Sequence, residues 1–365
     1  MPADALPLLP TTMVGSYPRP SWFTHQLAGR DIWEAFKVSP HAEAFEDAVR
    51  AVIKDQERAG LDLLTDGQMW FDDYGGAIGS FVWYWYERLG GFARAKEVHP
   101  RFAQLERPPE EAREWGGVTV VSEVTPGPTR LAELFRFAQP NTDRPIKFCV
   151  GAGPINLGFH VYYQAYANQR ELAYALAPIF NAEMKALVAA GARYLQLEDL
   201  GAWLPVRSGN PADFEWVVDV VNRTVEGVDA VLSWHFCYGN GWGNVSPHLF
   251  AGGDYGAILP HLADARVHQL VLDFAVRDMS DVHVLKSLPA GKDVAVGVID
   301  VRTLQIETPQ QVAARIRKVL EIVPAERVTL TTDCGMKALP RFVAYNKLKA
   351  LVEGARIVRR ELGRG

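Results

Sequence analysis

Nine short runs rich in apolar and β-branched residues recur along the chain, and amphipathic stretches long enough for helices separate most of them. The runs are 11–16 (TTMVGS), 61–66 (LDLLTD), 118–124 (VTVVSEV), 146–153 (IKFCVGAG), 193–199 (RYLQLED), 231–237 (VLSWHFC), 267–274 (VHQLVLDF), 293–300 (DVAVGVID) and 327–333 (RVTLTTD). Several are almost entirely apolar over four or five residues. Strands buried on both faces of a parallel sheet read this way. Between them, 41–60 repeats Phe45, Ala48, Val49, Val52 and Ile53 at helical spacing and stops at Gly60. Segment 169–190 carries Leu172, Leu176, Ile179, Leu187 and Val188 before Gly191, with a kink expected at Pro178. Thr308-Pro309 is an N-cap followed by proline at the first helical position, opening a helix over 309–322. A last helix is expected over about 338–361.

Such alternation admits a closed eightfold barrel or an open doubly wound sheet. The open sheet wants a glycine-rich phosphate turn after an early strand, and VGSYPRP is not one. The barrel needs eight strands, one fewer than the runs provide. The odd one is 118–124. It follows a stretch, 89–117, that holds Gly90-Gly91 and Pro108-Pro109 and no clear helix. We read 89–124 as a hairpin-like excursion with a partner strand near 93–104. The remaining eight runs predict an α/β fold, a single (β/α)8 TIM barrel over 1–365.

Charge and targeting signals narrow the partners. Lys and Arg number 38 against 43 Asp and Glu, a net charge of −5 and a pI near 6.0. Nothing in that balance draws the chain to nucleic acid or an anionic membrane. The start, MPADALPLLP, lacks a basic segment followed by a long apolar one, and no apolar run approaches the roughly 18 residues of a membrane span. Three scattered cysteines, Cys149, Cys237 and Cys334, suit a reducing cytoplasm. The aromatic run FVWYWY at 81–86 suits core, a pocket wall or an oligomer contact.

The polar residues Ser16, Asp66, Glu198, His235, Cys237, Asp273, Asp300 and Cys334 all fall at or just past the C-terminal end of an expected strand. Barrels place their sites on that face. In His235-Phe236-Cys237, residues two apart point the same way, so the imidazole and thiol can share one ion while Phe236 turns into the packing. Cys334 ends another strand, in TTDCGM. Two thiolates and an imidazole suit Zn2+, with a fourth position left to Asp273 or to an exchangeable ligand. Cys149 lies among apolar neighbours and reads as core. His41, His99, His160, His248, His261, His268 and His283 have no paired ligand nearby in sequence, although His160 follows a Gly-Pro turn near the mouth and could touch a ligand. A zinc with two thiolates is better suited to holding a substrate thiol as thiolate than to activating water. The expected chemistry is alkyl transfer to sulfur, with proximity supplying much of the rate.

LPTTMVGSYPRP at 9–20, TDGQ at 65–68, LQLED at 195–199, HFCYGNG at 235–241, VGVIDVRTLQIET at 296–308 and TTDCGMKALPR at 331–341 together resemble the catalytic C-terminal barrel of cobalamin-independent methionine synthase. The resemblance runs in order over nearly the whole chain, and the His-x-Cys pair with Asp-Cys-Gly is its specific part. It implies that His235, Cys237 and Cys334 bind zinc and that Asp273 stands where the family has a glutamate ligand. Ser16 falls on the serine that holds the homocysteine carboxylate, and Glu198 on an acidic residue that grips its amino group. Gln68 stands where the family has a second acidic residue. Asp300 and Arg302 fall in the catalytic segment, with Arg302 in place of a proton-donating histidine. His160 replaces a tryptophan that stacks on folate.

The expected activity is therefore zinc-dependent methylation of homocysteine, without the family's N-terminal folate-binding barrel. The partners are a small-molecule thiol and a methyl or alkyl donor, a corrinoid or another carrier. Two rivals stand beside it. One is alkyl transfer to a different thiol, as in epoxyalkane:coenzyme M transferases, with Arg302 binding an anionic group. The other is a metal-free barrel lyase or decarboxylase.

Overall fold

The computed structural model describes residues 6–23, 39–70, 82–94, 118–239 and 253–364, excepting the side chains of 39–42, Arg94 and His160. Among these, nine strands run in chain order: β1 (Gly90–Arg94), β2 (Val118–Thr125), β3 (Lys147–Ala152), β4 (Val161–Tyr163), β5 (Tyr194–Glu198), β6 (Val231–His235), β7 (Gln269–Asp273), β8 (Asp293–Ile299) and β9 (Val328–Thr332). The longer helices are α1 (Ser39–Ala59), α2 (Leu131–Ala138), α3 (Gln169–Ala189), α4 (Asp213–Val225), α5 (Pro309–Leu320) and α6 (Arg341–Glu361).

Six strands form one parallel sheet in the order β3-β5-β6-β7-β8-β9. Two further staves, expected at 11–16 and 61–66, are held by single bridges rather than full ladders: Thr11 to Leu330 of β9, and Leu64 to Ile146 beside β3. The N–H groups of Asp62 and Leu63 donate to Thr11 O at 3.0 and 3.1 Å. These bonds carry the sheet from β9 through the two segments to β3. This is the (β/α)8 barrel order, with right-handed strand–helix crossovers expected of parallel neighbours. Both staves are short because each turns early: Tyr17 N donates to Gly67 O at 3.0 Å, drawing the two turns together.

The excursion is a small separate sheet. β1 pairs antiparallel with β2, placing Phe92 opposite Val120, and β4 adds to the other side of β2 in parallel. The partner of β2 thus lies at 90–94 rather than at the expected 93–104, and 95–117 is outside the described residues. The register slips between Gly90 and Phe92, where Gly91 takes a left-handed φ of 95°.

The helices cover the barrel as their periodicity predicts. α5 begins with a complete capping box: Thr308 accepts from the Gln311 N–H and Gln311 accepts from the Thr308 N–H. α3 is capped by Asn168, runs unbroken through Pro178, and buries Leu172, Leu176, Phe180 and Leu187. By length and composition α3 is the one described helix apolar enough to cross a membrane, which the sequence reading did not foresee. Here its apolar side packs into the core. After β7 the connection to β8 is made by 3-10 turns (Ala275–Arg277 and Val282–Ser287). Asp278 and Met279 break the chain there with φ of 51° and 60°. Residues 82–86 of the aromatic run are buried, which makes them core; Phe81 is outside the described residues.

The barrel interior is unusually polar. Val14, Val271 and Ala295 form a small apolar cluster apart from the main core. Around it, Ser233 Oγ donates to Gln269 Oε1 at 3.1 Å and Gln269 Nε2 donates to Thr329 Oγ1 at 3.0 Å. Lys147 and Gln196 meet in the same interior.

Candidate metal centre

β5 and β6 are paired so that Glu198 and His235 are opposite each other at the C-terminal edge of the sheet. Cys237 follows two residues on, and Cys334 lies two residues past the end of β9. One ligand atom from each of His235, Cys237 and Cys334 lies within 4.8 Å of the others. The three are buried or nearly so. Asp333 anchors the Cys334 turn: its carboxylate accepts the N–H groups of Phe274, Ala275 and Val276 at 3.0, 3.0 and 2.6 Å. A side chain at Gly297 would collide with Asp333, and one at Gly335 would collide with Ser16 Oγ. Both glycines are therefore required by close approach. The second puts Ser16 directly against the Cys334 loop.

The donor set fits a metal. His235 Nε2 is buried and has no hydrogen-bond partner, a costly condition unless it has another one. The two sulfurs are 3.8 Å apart. That is far beyond a disulfide bond, and it is close to the roughly 3.8 Å that two Zn–S bonds of about 2.3 Å span at a tetrahedral angle. Cys334 donates its thiol proton to Cys237, which lowers the Cys237 pKa and raises that of Cys334. Burial alone would lower His235, but Cys237, Glu198 and Asp273 outweigh it and the net shift is upward. The pocket is thus built around a proton or a cation shared among electron-rich donors.

Asp273, expected as a fourth ligand, sits beside this group and not within it. Its carboxylate accepts the Tyr238 N–H (3.1 Å to each oxygen) and the Tyr255 hydroxyl. Burial first, then Cys237, push its carboxyl up to about 7. Trp203 Nε1 donates to Cys237 O at 2.9 Å, so the loop after β6 is fixed from both sides.

Glu198 faces the triad from β5. Its oxygens accept from Gln68 Nε2 and Gln196 Nε2, each at 3.2 Å. Burial pushes its carboxyl up to about 7, against the lowering effect of His235, Gln68 and Lys147. Gln68 is held in a left-handed conformation, φ 49°, unusual for a side chain of this kind. Asp66 maintains it: one oxygen accepts the Gln68 N–H at 2.9 Å and the other accepts Trp70 Nε1 at 2.8 Å. Asp66 was expected in the substrate pocket. Each oxygen holds one bond of the turn, and burial raises its carboxyl to about 6.

Asp300 and Arg302, expected as catalytic, pair with each other at 3.3 Å, and the Arg302 side chain is only 5% exposed. Their loop is tied down by buried Lys347, whose Nζ donates to Asp300 O at 2.8 Å and to Glu307 Oε2 at 2.9 Å. Neither belongs to the metal group. His160 closes a 3-10 turn, and its side chain is outside the described residues. Cys149 is core as expected, its Sγ donating to Val14 O at 2.8 Å. His261 stacks on Phe214 and His268 Nδ1 accepts the Leu232 N–H, so both are structural. Sequence reasoning missed Tyr255, Gln196 and Lys147. Only Gln196 carried a signal, the two-residue alternation with Glu198 along β5.

The sequence and the fold both match known proteins. Residues 9–357 match the family described as cobalamin-independent synthase, catalytic domain. A methionine synthase of Saccharolobus solfataricus is 34% identical over 363 residues, covering 98% of this chain and 97% of the relative. Among solved structures, a B12-independent methionine synthase from Shewanella sp. W3-18-1, in complex with selenomethionine, aligns with a TM-score of 0.79 at 28% identity, covering 97% of this chain and 99% of that one. A putative vitamin-B12 independent methionine synthase from Listeria monocytogenes shares the fold, with a TM-score of 0.62 at 20% identity over 95% and 96% of the two chains.

Proposed function

The chain belongs to the family of cobalamin-independent methionine synthase catalytic domains, and on that basis we propose that it methylates the thiol of homocysteine with zinc held by His235, Cys237 and Cys334. The observation that carries the reading is the meeting of these three donors, with an unpartnered buried imidazole nitrogen, beside Glu198 and Ser16. When bound, zinc in this donor set would lower the pKa of a substrate thiol and present its sulfur as a nucleophilic thiolate.

The chain's own residues hold the rest of the substrate. Glu198 receives the amino group, as an anion directed by two amide donors. Ser16, packed against Gly335, offers its hydroxyl to the carboxylate. Together they aim the thiol at the triad, so that the sulfur meets a methyl group approaching from the barrel mouth in line. Tyr255 and Tyr238 keep Asp273 engaged, so a substrate sulfur, rather than this carboxylate, would complete the donor set of a bound zinc. Arg302 is already neutralised by Asp300, so nothing favours the reading in which it binds a sulfonate. A corrinoid carrier likewise draws no support from the residues described.

Metal analysis and a transfer assay test the reading together. Purified protein should hold about one zinc per chain. The zinc should be lost in His235→Ala and Cys237→Ser variants that still unfold cooperatively. The zinc-loaded protein, given homocysteine and 5-methyltetrahydrofolate, should release methionine. Zinc-free protein with full activity would discard the mechanism, and loss of folding in both variants would make the metal structural.

A further inference from the structure

Beneath Glu198 the barrel encloses a lysine that the transfer chemistry does not use. Lys147 opens β3 and is 3% exposed. Burying an ammonium is costly, and methionine would fill similar space without that cost. Its Nζ donates to Gln196 Oε1 at 2.6 Å. Gln196 is fully buried, and its Nε2 donates to Val14 O at 2.8 Å and to Glu198 Oε1 at 3.2 Å.

The direction of each bond matters. An ammonium donates and cannot accept, and the Val14 carbonyl accepts and cannot donate, so the two together decide which end of the Gln196 amide is oxygen. The amide N–H is thereby turned toward Glu198. Gln68 Nε2 takes the other carboxylate oxygen, Oε2, at 3.2 Å. Remove the lysine, and the buried Gln196 Oε1 loses its donor, so the amide is held at its N–H end only and its grip on the carboxylate loosens. The positive charge of Lys147 also favours the ionised form of Glu198.

We propose that Lys147 is a positioning residue that, acting through Gln196, fixes the carboxylate of Glu198 to receive the amino group of an amino-acid thiol. This rests on the role given to Glu198 above. The test compares Kd values, by calorimetry on the zinc-loaded protein, for homocysteine and for 4-sulfanylbutanoate, which has the same chain without the amino group. The unaltered protein should prefer homocysteine by about tenfold or more, since a charge-assisted hydrogen bond is at stake. Lys147→Met should bring the two Kd values to within about threefold, and Lys147→Arg, which keeps a cationic donor, should retain more of the preference. Gln196→Met offers no N–H to Glu198 and adds no charge beside it. It should lose the preference too, and it decides the matter if Lys147→Met fails to fold. A preference kept in Gln196→Met and in folded Lys147→Met, but lost in Glu198→Gln, overturns the role of Lys147 alone. Equal binding of both thiols by the unaltered protein overturns the role of Glu198 along with it.

Discussion

Glu198→Gln should stabilise the metal-free protein at alkaline pH while weakening its hold on an amino-acid thiol. Burial raises the Glu198 carboxyl from 4.5 to about 7. A carboxyl raised in the folded state binds its proton more tightly there than in the unfolded chain. Its contribution is therefore fully present below the unfolded pKa and is lost as pH climbs through the folded one. With those two pKa values, the penalty for ionising Glu198 grows by about 2–3 kcal/mol between pH 5 and pH 8.5. Partial solvent exposure at the mouth reduces this, so a growth of about 1–3 kcal/mol is expected. Glutamine escapes the penalty. It also faces two amide donors with one of its own, at a cost that does not vary with pH. The pH difference isolates the carboxyl. Urea denaturation of EDTA-treated protein should give a variant whose stability relative to the unaltered protein rises by about that amount from pH 5 to pH 8.5. An offset equal at both pH values would refute the reasoning, because Glu198 would then be no more costly to ionise in the fold than outside it.

Tyr255→Phe takes one donor from the buried Asp273 carboxylate and should cost about 1.5–3 kcal/mol of stability by denaturation. A change below about 0.5 kcal/mol would mean that the Tyr255 hydroxyl does not support Asp273. Gln68→Glu places a second carboxylate beside Glu198 and should tighten homocysteine several-fold relative to 4-sulfanylbutanoate, measured by calorimetry; an unchanged ratio would mean that Gln68 does not face the substrate.

Most of the site was legible because strand periodicity is a rigid rule. His235 and Cys237 had to share a side, and Cys334 at the end of β9 had to meet them once the sheet curved round. Roles that depend on loops were not legible. Asp273 ends its strand as expected, but Tyr255 and the Tyr238 N–H, which occupy its oxygens, come from a connection without periodicity. Asp66 read as a mouth residue because strand-end carboxylates usually are; its bonds to Gln68 and Trp70, which build the turn, were not visible in the sequence. Lys147, at the first position of its strand, reads from sequence as an exposed end. Only the neighbouring strand shows it to be interior, facing Gln196. In the fold, the two N-terminal staves looked like full strands, but their early turns limit them to single bridges.

Zinc K-edge absorption on the purified protein, before and after addition of homocysteine, tests the central claim most directly. Two sulfur ligands and one imidazole should be seen first, and a third sulfur should join when homocysteine is added. An unchanged sulfur count, or a zinc without the two cysteines, would contradict it.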